Sequence, residues 1–249
     1  MITKNEFKQY ISLKQKNARV ETGLFIAEGR NVVKEGILHN AVSEIIFITK
    51  DFLDVNSEFR QILKGRKTEI LDDRDFERIA DTDNPQGIVG IFQNKSLLTE
   101  RITINRTIAL YEINDPRNMG TIIRTADWFG IDEILISQGS VDVFNPKVIR
   151  STMGSIFHVR IIITEDIKGA LFELRSTGYK IAVADMGGTS YRSVRGLEKV
   201  AAVFSNEARG PSDSITALAD IVATIPGNGS AESLNVACAA SVIMSEMVS

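Results

Sequence analysis

Cysteine is almost missing from this chain. Cys238 is the one cysteine in 249 residues, so no disulfide can form within the chain, and no Cys-x-x-Cys or Cys/His spacing is present for zinc. Histidine is nearly as scarce: His39 and His158 stand alone in the sequence, and no metal ligand set is expected from them. Long apolar runs are missing too, since none reaches the roughly 18 residues needed to cross a bilayer. The first residues, Met1 to Glu6, lack the basic-then-apolar pattern of a secretion signal. Together these absences fit a cytoplasmic protein. A strong net charge is also missing, and a value of −3 does not by itself advertise nucleic acid. The charge is uneven, however. Residues 1–34 hold seven Lys/Arg (4, 8, 14, 16, 19, 30 and 34) against three Glu (6, 21 and 28), and a local basic surface can neutralise a few phosphates on an acidic protein.

What is present is an ordinary globular composition, 43% hydrophobic and 24% charged, long enough for one or two domains with normal cores. The first ninety residues alternate strand and helix signals. Strands are predicted at 24–28, 45–48, 69–71 and 88–92, and helices at 30–38, 51–63 and 73–80. This is an α/β sandwich. Residues 96–106 are polar and lack a clean period, so they are taken as a linker between domains at 1–95 and 107–249. After the linker the alternation restarts, with strands at 107–112, 133–137, 159–163, 180–184, 200–204 and 221–224. Helices are predicted at 118–129, 146–153 and 233–247. Strands alternating with helices imply a mostly parallel sheet with covered faces.

Three segments at strand ends carry residues suited to chemistry. The first runs from Asn114 to Ala126, where a strand gives way to a helix, the place at which open α/β sheets bind ligands. Asn118 is expected as its N-cap. Arg124, nearly two turns on, offers planar paired donors suited to a phosphate or an oxyanion; a surface ion pair with Asp127 or Asp132 is its ordinary alternative. The second runs from Val203 to Ser212, where an apolar strand enters a polar loop containing Ser205, Asn206, Glu207 and Gly210. Backbone amides of such a loop can hold a polar ligand. The third runs from Ile225 through Pro226 and a flexible loop to Ser233, Leu234, Asn235 and Val236, with Ser233 expected as the N-cap of the last helix. Cys238 is expected buried in that helix, and Trp128 is expected in helix packing, with base stacking as its alternative.

In this order the segments read N-x-G-x-x-x-R-x-A, x-x-E-x-x-G and I-P-x…S-L-N-V-x-x-A. They resemble the three signature motifs of the SpoU (TrmH-like) family of RNA 2′-O-methyltransferases, a branch of the SPOUT superfamily, over about residues 107–249. The front domain, with Phe25-Ile26-Ala27-Glu28-Gly29, resembles the substrate-binding domain often fused to that family. The resemblance implies an α/β chain in two parts, a smaller N-terminal RNA-substrate-binding domain and a C-terminal parallel-sheet methyltransferase domain knotted as a trefoil. It implies S-adenosylmethionine as cofactor, no catalytic metal, RNA as substrate (ribosomal RNA ahead of transfer RNA) and a homodimer. Ser205, Asn206, Glu207, Gly210, Ile225, Pro226, Ser233, Leu234 and Asn235 would hold the cofactor. Arg124, Asn118, Glu207 and Asn235 would serve catalysis, with Arg124 activating the ribose hydroxyl. Gly227 stands where many relatives carry Met, and Ser205 where many carry Gly; both bear on pocket shape. Three other functions compete. A nicotinamide-dependent oxidoreductase lacks its GxGxxG after the first strand of either half. A non-catalytic RNA-binding relative is opposed by intact Asn118, Arg124, Glu207 and Asn235. Methyl transfer to a base nitrogen stays open, whereas the cysteine-nucleophile route to base carbons is opposed by a buried Cys238.

Overall fold

The structure, a computed structural model, describes residues 2–206 and 209–249. Glu207 therefore lies outside the described residues. Along the chain come α1 (Lys4–Ser12), α2 (Lys16–Thr22), β1 (Leu24–Glu28), α3 (Arg30–Leu38), β2 (Ser43–Ile48), α4 (Lys50–Val55), α5 (Phe59–Ile62), β3 (Thr68–Ile70), α6 (Asp73–Ile79) and β4 (Ile88–Gln93). Then follow β5 (Arg106–Tyr111), α7 (Pro116–Trp128), β6 (Glu133–Ser137), α8 (Pro146–Thr152), β7 (Arg160–Thr164), α9 (Ile167–Ser176), β8 (Lys180–Ser190), β9 (Val200–Ser205), α10 (Asp213–Thr216), β10 (Ile221–Thr224) and α11 (Val236–Met247). These elements form two compact units that do not follow chain order. One holds Met1–Leu97 and Asp142–His158, the other Leu98–Val141 and Val159–Ser249.

The first unit is built on a mixed sheet of order β1-β4-β2-β3. β1, β2 and β4 are buried on both faces while β3 lies largely exposed at the edge, and the period of two sorts the buried side chains. Ile26, Ile45, Phe47, Val89 and Ile91 pack with Phe7, Tyr10, Phe76 and Ile79 on one side. Phe25 and Phe92 point to the other side, where they meet Phe144 and Phe157: the Phe25–Phe144 ring centroids are 5.1 Å apart and the Phe92–Phe157 centroids 4.9 Å. Residues 142–158 join this unit for that reason, although the linear sequence places them among the later elements. A bidentate ion pair fixes the return. Arg19, 3% exposed, donates from Nε and Nη2 to Oδ2 of Asp142, and its Nη1 donates to the carbonyls of Leu13 and Lys14. Arg19 is thereby removed from the basic surface expected of residues 1–34. Arg30 is engaged with Glu58, and Lys14 with the carbonyls of Arg78 and Ala80.

The second unit carries a six-stranded sheet, β10-β8-β9-β5-β6-β7, in which every pair is parallel. On one face Leu171 and Leu174 of α9 and Ile215 of α10 pack against Ala109, Leu135, Val183 and Val203. α7 buries Met119, Ile122, Ile123 and Ala126, and packs against α11. The chain runs outward from β5 to β6 and β7, then returns to the opposite side of β5, so β5 and β9 flank the point where strand order reverses. Ligands of open parallel sheets bind beyond the carboxyl ends of strands at such a point.

Several expected boundaries move, each for a local reason. The helix expected over 51–63 is two, because the Asn56 side chain donates to the Phe52 carbonyl and ends α4. α7 starts two residues before Asn118: Asp115 is the N-cap, accepting from the amides of Arg117 and Asn118, with Pro116 in the first turn. α11 starts after Asn235, which replaces Ser233 as the N-cap. That shift turns the buried stripe to Val236, Ala237, Ala240, Ile243, Met244 and Met247 and leaves Cys238 exposed, not buried. Trp128, expected in packing, is 83% exposed at the end of α7.

Candidate active site

The site is assembled at the carboxyl ends of β5, β9 and β8. β9 ends in Ser205, and Asn206 then turns back on β5: its backbone amide donates to the Tyr111 carbonyl at 3.2 Å and its side-chain amide to the Glu112 carbonyl at 3.2 Å. Glu112 takes a left-handed conformation (φ 54°) that swings the chain from β5 towards α7. The second sequence segment is thus bonded to the start of the first. Asn235 bonds the third to the first. Its Oδ1 accepts from the amides of Ala237 and Cys238, and its Nδ2 donates to Oδ1 of Asn118 at 3.1 Å. One side chain therefore caps α11 and reaches α7.

β8 supplies a wall that the sequence did not announce. Its pairing with β10 runs Ile221 to Ala182 and Val222 to Val183, then jumps so that Ala223 pairs with Thr189. The intervening residues 184–188 leave the ladder. Thr224 braces this excursion: its hydroxyl donates to the Asp185 carbonyl at 2.7 Å and accepts from the Gly188 amide at 2.7 Å. Irregularities of this kind aim side chains next to functional sites.

A cavity lies among these segments. It is lined by Asp185, Met186, Phe204, Ser205, Asn206, Gly210, Pro211, Ile225, Ser233, Leu234, Val236 and Ile243, together with Ala184, Ala223 and Ala239. Six of the residues expected around the cofactor, Ser205, Asn206, Gly210, Ile225, Ser233 and Leu234, share this lining. Pro226 is exposed and does not line the cavity, and Asn235 sits behind it as the cap of α11. Asp185 and Met186 were missed by sequence reasoning, because the strand pattern ends at Ala184 and a register jump leaves no local signal. The walls are largely apolar, with Phe204, Ile225, Leu234 and Ile243 in them, and Asp185 is the one carboxylate in the lining among the described residues. Ser205, 8% exposed, has a hydroxyl with no hydrogen-bond partner among the described residues. A buried donor left without a partner costs about 1–3 kcal/mol, and a ligand in the cavity would relieve that cost. An apolar slot with a few polar groups at its ends suits a nucleoside-type ligand.

Arg124 is exposed on α7 and has no ion pair or hydrogen bond among the described residues, so the expected surface pair with Asp127 or Asp132 is not its explanation.

The fold and the site are those of a parallel α/β domain with a ligand cavity beyond its strand ends, in a chain that also holds a mixed-sheet unit. Residues 105–245 match the SpoU rRNA methylase family, and the chain belongs to that family. Residues 4–90 match the MRM3-like substrate binding domain. The chain is 30% identical over 239 residues to the 23S rRNA (guanosine(2553)-2′-O)-methyltransferase RlmP of Bacillus subtilis, covering 95% of this chain and 93% of that one. Among solved structures, a protein of the TrmH family from Porphyromonas gingivalis superposes with a TM-score of 0.86 at 29% identity, covering 99% and 98% of the two chains. An AdoMet-bound rRNA methyltransferase from Sinorhizobium meliloti superposes with a TM-score of 0.80 at 28% identity, covering 99% and 95%.

Proposed function

We propose that this protein transfers a methyl group from S-adenosylmethionine to a ribose 2′-hydroxyl of structured RNA, with ribosomal RNA as the substrate. One observation carries the proposal: three segments far apart in sequence are bonded to one another, through Asn206 to Glu112 and Asn235 to Asn118, around a single cavity at the sheet's reversal point. The ribosomal substrate is supported by the B. subtilis relative, whose name specifies 23S rRNA and a 2′-O position. The MRM3-like match over residues 4–90 supports the first unit as the part that binds RNA. Two features of the resemblance are proposed with it. One is a trefoil knot in the second unit. The other is a homodimer, to which the exposed Trp128 would contribute. Action in the cytoplasm, where ribosomes are made and modified in bacteria, goes with that substrate.

The residues present fit the cofactor. Ile225 and Leu234 would give the nucleoside an apolar lining, Ser205 would find its missing partner there, and the Asp185 carboxylate would accept from ligand hydroxyls. When bound, S-adenosylmethionine supplies an electrophilic methyl group on a sulfonium. The chain then has to present the ribose oxygen in line and stabilise the alkoxide as its proton leaves. Arg124 is proposed for that work. A guanidinium has five donors and no acceptor, so it holds the neighbouring phosphate and the developing negative charge, and the proton passes to phosphate or water. Asn118, held by Asn235, positions the first turn of α7. Glu207 is given its catalytic and cofactor-binding role from its place in the second motif alone, and Pro226 its cofactor-binding role from its place in the third.

The test is methyl incorporation into ribosomal RNA from labelled S-adenosylmethionine, followed by nuclease digestion and mass analysis of the nucleosides. A 2′-O-methylated nucleoside is expected. Methyl on a base nitrogen, incorporation into transfer RNA alone, or none with any RNA would replace the proposal by the matching alternative. Arg124→Ala is expected to lose at least about a hundredfold in turnover while calorimetry shows cofactor binding within about twofold; unchanged turnover removes Arg124 from the mechanism.

A further inference from the structure

The two histidines of the chain, isolated in sequence, meet in the first unit. His39 follows the last turn of α3, Glu35 lies one turn before it, and His158 follows the short 3₁₀ turn Ser155–Phe157. The imidazole centroids are 3.9 Å apart, with the rings inclined at 42°. Oε2 of Glu35 stands 3.4 Å from Nδ1 of His39 and 3.4 Å from Nε2 of His158. One donor atom from each of the three residues lies within 4.8 Å of the other two. We propose that Glu35, His39 and His158 form a binding site for a divalent transition-metal ion, with Zn²⁺ the ion that fits it best.

The ligand chemistry follows from the donor set. An anion would meet the Glu35 carboxylate, so the site is one for cations. Two imidazolium rings this close repel each other, and two neutral imidazoles beside a carboxylate offer lone pairs instead. Two nitrogens and one oxygen select zinc and its neighbours over magnesium or calcium, which take oxygen ligands. Geometry agrees. With metal–ligand bonds of about 2.0–2.2 Å, the edges of a tetrahedron are about 3.3–3.6 Å, and both Glu35–His separations fall in that range without movement. Nδ1 of His39 also lies 3.1 Å from the Glu35 carbonyl oxygen, so coordination through Nδ1 takes the tautomer with its proton on Nε2. The three side chains are between a quarter and a half exposed while Nε2 of His158 is itself buried, so an ion would enter from the side of Glu35 and His39.

The backbone is shaped to hold the carboxylate in place. Met153 and Gly154 both take positive φ, 54° and 107°, as the chain leaves α8. A Cβ on Gly154 would stand 2.6 Å from Cγ and 2.7 Å from Cβ of Glu35, closer than real contacts allow, so only glycine lets the turn close over Glu35 and deliver His158 to its far side. A bound ion would link α3 to the segment that returns after α8, and binding to the folded state alone adds to its stability.

The full-length protein, stripped with chelator and dialysed, is titrated with Co²⁺ and then Zn²⁺. Expected are one ion per chain by elemental analysis, visible d–d bands of four-coordinate cobalt that zinc abolishes, and a higher melting temperature with zinc. His39→Gln, His158→Gln and Glu35→Gln should each weaken binding at least about tenfold, in line with loss of one ligand. His39 is half exposed, so its variant should fold as the parent does, and circular dichroism checks that it has. Cys238→Ser should leave the cobalt bands unchanged. The proposal is overturned by the absence of stoichiometric binding, by binding that survives in the His39→Gln/His158→Gln pair, or by cobalt bands that shift in Cys238→Ser. A melting temperature that responds to pH between 5 and 8 but not to metal, about the range over which histidine titrates, would make the cluster a proton-binding device instead.

Discussion

Asn235 does two jobs with one amide. Its oxygen caps α11 and its nitrogen reaches Asn118 on α7. The two can be separated. Asn235→Asp keeps an acceptor for the cap and loses the donor, whereas Asn235→Ala loses both. Melting experiments should show Asn235→Ala destabilised by about 1 kcal/mol, the usual worth of an N-cap, and Asn235→Asp within about 0.5 kcal/mol of the parent. Methyl transfer should fall in both variants. If Asn235→Asp keeps full activity, the link to Asn118 is structural only. The sequence contained this residue and its motif, but a cap two residues earlier, at Ser233, was just as acceptable to local rules. What chose Asn235 was the side-chain oxygen of Asn118, a group from a distant segment.

At the scale of elements, the return of residues 142–158 to the first unit depends on the Arg19–Asp142 pair. Arg19 gives three of its nitrogens to protein acceptors in a nearly closed environment. Removing one partner of a buried pair leaves an uncompensated charge and costs about 3–5 kcal/mol. Arg19→Ala should therefore lower the urea midpoint substantially, and Arg19→Met, which removes the charge but keeps the volume, should lower it less only if Asp142 is replaced by Asn as well. Equal stability of Arg19→Ala and the parent would show that the aromatic contacts of Phe144 and Phe157 alone hold the segment. Periodicity locates α3, α6 and the parallel strands within a residue or two, except β8, which runs to Ser190 where the pattern ends at Ala184. It passed over α9, where Ile167, Leu171 and Leu174 keep helical spacing and Asp166 caps the start, so that signal was available and unused. The excursion of residues 184–188 from β8 is different in kind. It exists because Thr224 of β10 braces it, and no local pattern encodes a partner strand.

For the molecule as a whole, the alkaline limb of stability should trace two tyrosines. Burial pushes the Tyr179 phenol above its usual 10, and the Glu133 charge adds to the shift. Burial does the same to Tyr10, with Glu44 and Glu6 adding to it. A raised value in the folded state means that the fold favours the protonated phenol. That contribution is fully present below the unfolded value near 10 and is lost as pH rises through the higher folded value. Melting temperature should therefore be flat with respect to these groups below pH about 10 and fall above it. Tyr179→Phe, which removes the hydrogen bond to the Ile104 carbonyl, should cost about 1 kcal/mol at neutral pH and make the alkaline fall shallower. An unchanged alkaline slope in that variant would assign the fall to other groups.

The sequence by itself determined the alternation of strands and helices, the parallel character of the second sheet and the identity of the three segments that carry chemistry. These follow from short-range regularities: the periods of two and 3.6, apolar runs in buried strands, and fixed spacings within a motif. Only the tertiary structure decided which groups meet. It joined Asn235 to Asn118, brought Asp185 to the cavity, seated Phe144 and Phe157 in the first unit and set His39 against His158 around Glu35. Each of those contacts joins residues whose neighbours in sequence say nothing of one another, because the free energy that selects them comes from packing and hydrogen bonding between elements distant along the chain.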